Sequence, residues 1–308
     1  MNLKGRDFLS LLDFDRESLS YLLDLAAKLK QENKLKQTHH ILKNKTLAMI
    51  FAKPSLRTRV SFEVGIQQLG GSAVVLKQDE INLGVRETIA DTARVLSRYV
   101  DGVMIRTFAQ EDVIEFAKYA DVPVINALTD LSHPCQVMAD LLTIKEHFGY
   151  LENLKLAYVG DGNNMANSLI AGCSIMGMDV SIGCPKDYEP QEEYLAKCRQ
   201  IAQKSGSQIQ ITSDQTEAVK NANIAYTDVW ASMGQEEETE SRRKIFRPYQ
   251  LNKELLSSAS DDVIVLHCLP AHRGEEITAD VLEEHASIIF EQAENRLHAQ
   301  KAIMASIM

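Results

Sequence analysis

The first forty residues carry a helical pattern. Asp15 is suited to cap a segment in which Leu19, Leu22, Leu23, Leu25, Ala26 and Leu29 recur at helical spacing. From there, short apolar runs alternate with amphipathic stretches. Strands are predicted over 46–51, 73–76, 102–105 and 124–126, with helices over 57–69, 88–99, 111–119 and 136–148 between and after them. A second series follows, with strands over 154–159, 179–183, 208–212, 224–227 and 263–267. Its helices are predicted over 164–176, 192–205 and 215–220, and a last one from near Glu291, about 291–305. The charged stretch 235–244 reads as a solvated loop. Strand-then-helix alternation of this kind predicts an α/β protein of two doubly wound parallel-sheet domains linked by a helix. The boundary is expected within 135–150, giving domains 1–148 and 149–308.

Charge sharpens this division. The chain has 33 Lys+Arg and 43 Asp+Glu, a net charge of −10. Residues 1–150 hold 19 of each sign, whereas residues 151–308 hold 14 basic and 24 acidic side chains. An acidic chain is a poor nucleic-acid binder, because that task needs basic surface against phosphate. No apolar run is long enough to span a bilayer, and the charged opening residues have no signal-peptide core. Cys135, Cys173, Cys184, Cys198 and Cys268 are odd in number and scattered, with no C-x-x-C pair. They read as reduced thiols in a cytoplasmic protein.

Six segments can carry chemistry. In Lys53-Pro-Ser-Leu-Arg-Thr-Arg59 a strand ends and a helix opens with Ser55, Arg57, Thr58 and Arg59 in or beside its first turn. Free N–H groups, hydroxyls and guanidiniums converge there, as in a phosphate site; a Ser-capped helix with surface arginines fits equally. Arg106 directly follows a buried strand. His133 and Gln136 flank Pro134-Cys135 before the linking helix. Gly160-Asp-Gly-Asn-Asn-Met165 resembles a dinucleotide turn, but Met165 occupies the third glycine's place, so an NAD-dependent oxidoreductase is a weak rival. Asn163, Asn164 and Asn167 open that helix, with capping as the plain reading for the first two. Asp228 begins a loop that ends in Ser232-Met233-Gly234 and suits either an ammonium group or a turn. His267, Cys268 and His272 match no standard metal-ligand spacing, and no metal is expected there. Cys268 as a nucleophile has no certain base nearby in sequence.

Taken together, Lys53-Pro-Ser-Leu-Arg-Thr-Arg59, His133-Pro-Cys-Gln136, Asp228-Val-Trp-Ala-Ser-Met-Gly234, His267-Cys-Leu-Pro270 and Glu294-Asn-Arg-Leu-His298 resemble, in order, the motifs of ornithine carbamoyltransferases. The similarity covers nearly the whole chain. It implies transfer of a carbamoyl group from carbamoyl phosphate to the δ-amino group of ornithine, giving citrulline and phosphate, without metal or cofactor. It implies that Ser55, Leu56, Arg57 and Thr58 cradle phosphate, and that Arg106, Thr58 and His133 polarise the carbamoyl oxygen. Gln136 and the carbonyls of Cys268 and Leu269 would receive the carbamoyl NH2, and Arg296 would add a further cation. Asn167, Asp228, Ser232 and Met233 would bind ornithine. The C-terminal helix would pack back on the first domain. Asn82 would reach a neighbouring subunit's site in a homotrimer or a multiple of trimers. Leu56 stands where the family most often has Thr, and Asn82 where Gln is usual. Another amine acceptor, putrescine or an N-acylated ornithine, is the closest alternative; aspartate would call for extra cations in the half that is acidic.

Overall fold

The computed structural model describes residues 1–308 apart from Asn82 and residues 232–235, together with the side chain of Glu236. The described chain divides into two compact units, Met1–Leu142 with Asn295–Met308, and Thr143–Glu294. The division falls inside the continuous helix Pro134–Phe148 rather than after residue 148.

The first unit is built on a parallel sheet of β1 (Thr46–Phe51), β2 (Ser72–Lys77), β3 (Gly102–Arg106) and β4 (Val124–Leu128), in the order β2-β1-β3-β4. Strands covered on both faces need unbroken apolar runs. Accordingly β3 is buried throughout and β1 from Leu47 onward, whereas the edge strand β2 is half exposed. Ala48, Ile50, Val103, Ile105, Val113, Phe116 and Val124 form one core cluster. The predicted N-terminal helix spans Arg16–Lys34; Asp15 caps it by accepting the Ser18 N–H, and Leu19, Leu22, Leu23, Ala26 and Leu29 are buried.

The second unit is a parallel sheet of β5 (Lys155–Val159), β6 (Asp179–Gly183), β7 (Ile209–Thr212), β8 (Ile224–Thr227) and β9 (Ile264–His267), in the order β7-β6-β5-β8-β9. The helices Asn164–Met176 and Glu192–Ser205 follow β5 and β6. Both sheets are wholly parallel, as the strand–helix alternation predicts.

Two predicted elements differ clearly from the observed ones. The last helix begins at Ala286, ahead of Glu291, and runs to Ile307. Its buried positions include Gln292, Asn295, Arg296, His298, Gln300 and Lys301, so apolar periodicity understates it. Residues 235–244 are not simply a solvated loop: Thr239–Phe246 is helical, with Arg242 and Phe246 buried one turn apart. Here too the inward-facing position is polar. The returning end of the last helix is fixed within the first unit by buried polar bonds. Lys30 Nζ donates to Asn295 Oδ1 at 2.7 Å, and Lys301 Nζ donates to Gln68 Oε1 at 2.9 Å.

Gly162 shows why the Gly-Asp-Gly turn after β5 carries glycine. Its N–H bonds the Tyr188 carbonyl at 2.9 Å, and a Cβ there would lie 2.5 Å from both the Glu189 carbonyl carbon and the Tyr188 oxygen. Close backbone approach, not a nucleotide, accounts for this residue. Gly162→Ala should therefore cost about 2 kcal/mol from overpacking against backbone that cannot yield. Gly206→Ala, at φ +83 with open space around it, should cost only the left-handed backbone penalty of about 1 kcal/mol. Urea unfolding of both variants checks the difference.

Candidate active site

Ligands of open α/β sheets gather at carboxyl strand ends where the strand order reverses, because the loops on either side of that point diverge. In the first unit the reversal lies between β1 and β3. β1 delivers Lys53-Pro54-Ser55 to this position, and β3 delivers Arg106 as its last residue. The Ala52 N–H bonds the Arg106 carbonyl at 2.9 Å and joins the two ends.

Ser55 caps the helix Leu56–Gln68. Its Oγ accepts the Thr58 N–H at 3.3 Å and donates to Thr58 Oγ1 at 3.1 Å. The Leu56 side chain points to solvent, so only its backbone can serve the helix opening. Arg57 sits in that first turn, half-buried. Lys53, though buried, is committed elsewhere: it pairs with Asp130 and lies 4.1 Å over the Phe108 ring.

The loop carrying His133 is held from behind by Gln110. Its Oε1 accepts from Thr129 Oγ1 at 2.6 Å, Ser132 Oγ at 3.2 Å and Asn126 Nδ2 at 3.2 Å. His133 is buried at the opening of the helix Pro134–Phe148. Burial, and then the charges of Arg296, Arg106 and Arg57, hold its imidazole well below the usual histidine range. The ring is therefore neutral at pH 7, able to donate one N–H but carrying no charge. Burial also pushes the Cys135 thiol up to about 12, and that thiol donates to the Asn126 carbonyl at 3.4 Å. Arg296 donates from Nη1 to Gln136 Oε1 at 2.9 Å and from Nη2 to Thr58 Oγ1 at 3.1 Å. Gln136 Nε2 donates in turn to Asp140 Oδ1 at 2.8 Å. The first unit thus brings Ser55, Thr58, Arg57, Arg106, His133, Gln136 and Arg296 together as one cationic, hydroxyl-lined corner.

In the second unit the reversal lies between β5 and β8. Asn163, after β5, and Asp228, after β8, meet there, with Asn163 Nδ2 donating to Asp228 Oδ2 at 3.2 Å. The Asn163 Oδ1 caps its helix by accepting the N–H groups of Met165 and Ala166, and it accepts the Tyr158 hydroxyl at 3.4 Å. Burial, and then Asp228 and Asp161, hold that hydroxyl well above the usual tyrosine range, so it stays a donor. Asn167 is buried one turn further along. Asp228 Oδ1 accepts the Val229 N–H at 2.8 Å and the Cys268 thiol at 3.0 Å. The turn reading of Asp228 is seen in its bond to the adjacent Val229 N–H, and its carboxylate is buried at the strand end. Leu269, beyond β9, has φ +55, a left-handed conformation that costs an L-residue roughly 1–2 kcal/mol.

The ligand atoms of Asp228, His267 and Cys268 lie within 4.8 Å of one another. Both His267 nitrogens are engaged by protein: Nδ1 accepts the Leu269 N–H at 2.8 Å, and Nε2 lies 3.1 Å from Glu276 Oε1. A metal there would have to displace one of these bonds. Asn82, Ser232 and Met233 lie outside the described residues.

Sequence reading alone passed over Arg242. It pairs with Asp161, donates from Nε to the Trp230 carbonyl, and stacks 5.2 and 5.0 Å from the Tyr188 and Phe246 rings. It thereby anchors the chain on both sides of residues 232–235. Arg242 and Phe246 at helical spacing were the available signal.

Two family models together cover almost the entire chain. Aspartate/ornithine carbamoyltransferase, carbamoyl-P binding domain, matches residues 6–146, and aspartate/ornithine carbamoyltransferase, Asp/Orn binding domain, matches residues 152–307. The fold and these matches define a carbamoyl-transferring enzyme of two α/β units. The chain belongs to the aspartate/ornithine carbamoyltransferase family. It is 57% identical to the ornithine carbamoyltransferase of Oceanobacillus iheyensis over 306 residues, 99% of this chain and 95% of that protein. It is 55% identical to that of Thermococcus kodakarensis, covering 100% of this chain and 98% of the relative. The solved ornithine carbamoyltransferase from Pyrococcus furiosus superposes with a TM-score of 0.97 at 52% identity, covering 100% and 98% of the two chains.

The neutral state of His133 has a consequence for acid stability. Its pKa is depressed on folding, so below about 6.5 the unfolded chain takes up a proton that the folded chain refuses. Folded stability is present above that pH and falls as the pH drops below it, at up to about 1.4 kcal/mol per pH unit from this one group. His133→Gln should flatten the acid limb below about pH 6.5, by at most that slope, measured by urea unfolding against wild type.

Proposed function

We propose that the chain is an ornithine carbamoyltransferase that works by direct amine attack on carbamoyl phosphate, with phosphate as leaving group. The observation that carries this reading is the corner of Arg57, Arg106 and Arg296 around a neutral His133 at the opening of two helices. Three guanidiniums in one partly buried place repel one another, and a doubly charged phosphate relieves that repulsion. Ser55, Thr58, Arg57 and the first-turn N–H groups, Leu56 included, take the phosphate. Arg106 and the neutral His133 donate to the carbamoyl oxygen as it gains charge in the tetrahedral transition state. Arg296, already oriented through Gln136 and Thr58, adds positive charge without having to be ordered on binding. Gln136 Oε1 accepts from Arg296 and, with two lone pairs, retains one acceptor position for the carbamoyl NH2. The main-chain carbonyls of Cys268 and Leu269 provide the others.

The amino-acid end of ornithine falls to Asn167, Asp228, Ser232 and Met233. The Asp228 carboxylate offers about four lone-pair positions. Three are taken by Val229, Cys268 and Asn163 among the described residues, leaving one for an ammonium group. The nucleophile is the minor neutral form of an amine whose solution pKa is near 10, roughly one molecule in a thousand at pH 7. The same reading carries assembly as a homotrimer with Asn82 at the subunit boundary, and the biosynthetic direction of the Pyrococcus furiosus relative, an anabolic ornithine carbamoyltransferase.

The purified protein should release citrulline from ornithine and carbamoyl phosphate in a colorimetric assay, with putrescine, N-acetylornithine and aspartate far poorer acceptors. Arg106→Ala should lower kcat/KM on the order of 10²–10³, the usual cost of an oxyanion donor. No citrulline, or a loss within threefold for Arg106→Ala, would refute the assignment.

A further inference from the structure

We infer that Glu276 is a positioning residue for the reaction, acting through His267 to orient the Cys268 and Leu269 carbonyls. The inference rests on the proposed reading that these carbonyls receive the carbamoyl NH2. Nothing in the Glu276 side chain needs to touch substrate.

The relay begins at a donor that cannot be inverted. The Leu269 N–H bonds His267 Nδ1 at 2.8 Å, and a backbone N–H only donates, so Nδ1 bears no proton. The neutral ring then carries its proton on Nε2, which faces Glu276 Oε1 at 3.1 Å. That carboxylate oxygen also accepts the His272 N–H at 2.6 Å, so one atom fixes the imidazole tautomer and closes the loop from His267 to Glu276. His267 and Glu276 are both fully buried, and water cannot replace either bond. The backbone of His267 is held as well, its N–H donating to Gln292 Oε1 at 3.0 Å while Gln292 Nε2 donates to the Tyr226 hydroxyl at 3.1 Å.

What this relay secures is the conformation of Leu269. Its φ of +55 is one that leucine rarely adopts; its side chain packs against the core of the second unit, and the N–H bond to His267 holds the amide itself. Rotation about that N–Cα bond turns the Cys268 carbonyl relative to the Leu269 carbonyl. Without Glu276 the ring is free to take the Nδ1–H tautomer. That would set one N–H against another at Leu269, and the two carbonyls would lose their common orientation. An amide oxygen at position 276 can accept from both Nε2 and the His272 N–H, so glutamine preserves the relay and leucine abolishes it.

Acetyl phosphate differs from carbamoyl phosphate by a methyl group in place of NH2, so it reports on the NH2 acceptors alone. The readout is the Ki of acetyl phosphate divided by the KM of carbamoyl phosphate, a ratio that loss of folded enzyme does not move. Wild type should favour carbamoyl phosphate at least tenfold. Glu276→Leu should shrink that preference fivefold or more and lower kcat, whereas Glu276→Gln and His267→Asn should keep the preference within about twofold of wild type. An undiminished preference in Glu276→Leu, with wild type discriminating, overturns the positioning role alone. A wild-type enzyme that does not discriminate overturns the NH2-acceptor reading on which it rests. Should Glu276→Leu not fold, ¹⁵N spectra of histidine-labelled wild type decide the matter, the His267 signals being those lost in His267→Asn. Protonated Nε2 with bare Nδ1 supports the relay, and protonated Nδ1 overturns it.

Discussion

Holding like charges together at a buried place is the constraint on which the first unit depends. Arg106, Arg296 and Arg57 all bear on His133, and the first two are buried. Their repulsion in a low-dielectric setting has to be offset by a scaffold that cannot relax. Each guanidinium accordingly comes from a different rigid element: the end of the fully buried strand β3, the first turn of a Ser-capped helix, and the long C-terminal helix. The last of these explains why residues Asn295–Met308 belong to the first unit although they follow the second in sequence. Lys30–Asn295, Lys301–Gln68 and the Arg296 bonds to Thr58 and Gln136 are the ties that fix this helix, and a glycine at 65 admits Met304 and Lys301 close to its backbone. One consequence of the cation cluster is chemical. Burial first, and then this cluster, keep His133 a neutral donor, so positive charge and hydrogen-bond geometry are supplied by different residues.

The second unit meets a different constraint with the same topology. Its strand order also reverses once, between β5 and β8, and there too polar groups converge at carboxyl strand ends. The converging groups are amides, a carboxylate and a thiol instead of guanidiniums. The contrast follows the charge along the chain, neutral over residues 1–150 and −10 over the remainder. Under the proposed function that division matches an anionic donor and a cationic acceptor, and the field of an acidic domain favours ornithine over aspartate. Not all of this acidity faces a ligand. Glu192, Glu193 and Glu240 lie in exposed ion pairs with nearby arginines and lysines, which contribute little.

The parts legible in the sequence are those where local pattern and tertiary role agree. β1, β3, β5 and β8 are continuous apolar runs because both faces are covered, and the helix Asn164–Met176 has bounds that an Asn cap and a following glycine make visible. Arg106 and Asp228 stand out because each closes or directly follows a buried strand, and Ser55 and His133 because each lies between a strand end and a helix start. The parts that were illegible are those whose buried positions are polar. Arg242 faces inward on a charged helix, and the C-terminal helix buries amides, a histidine and a lysine. A hydrophobic periodicity sees neither. Gln110 and Glu276 act on the site through intermediates ten or more positions away or across a loop, and no local spacing marks such a role.

The protonation states narrow the ways in which the proposed transfer can run. Cys135, the cysteine nearest the cationic corner in sequence, has a thiol pushed up to about 12 and donates to a carbonyl, so it supplies no thiolate. Cys268 gives its S–H to Asp228, an arrangement that spends the thiol as a donor. His133 is held so far below its ordinary range that it is a poor acceptor for a proton from an ammonium-like intermediate. Among these groups none is poised for covalent catalysis or for strong general-base work. The departing phosphate, whose leaving oxygen gains negative charge as the C–O bond breaks, is a better base than that imidazole and carries the proton away. Direct attack, with the leaving group itself removing the proton, is the course that asks of the protein only what it visibly provides: orientation, and positive charge placed where negative charge develops.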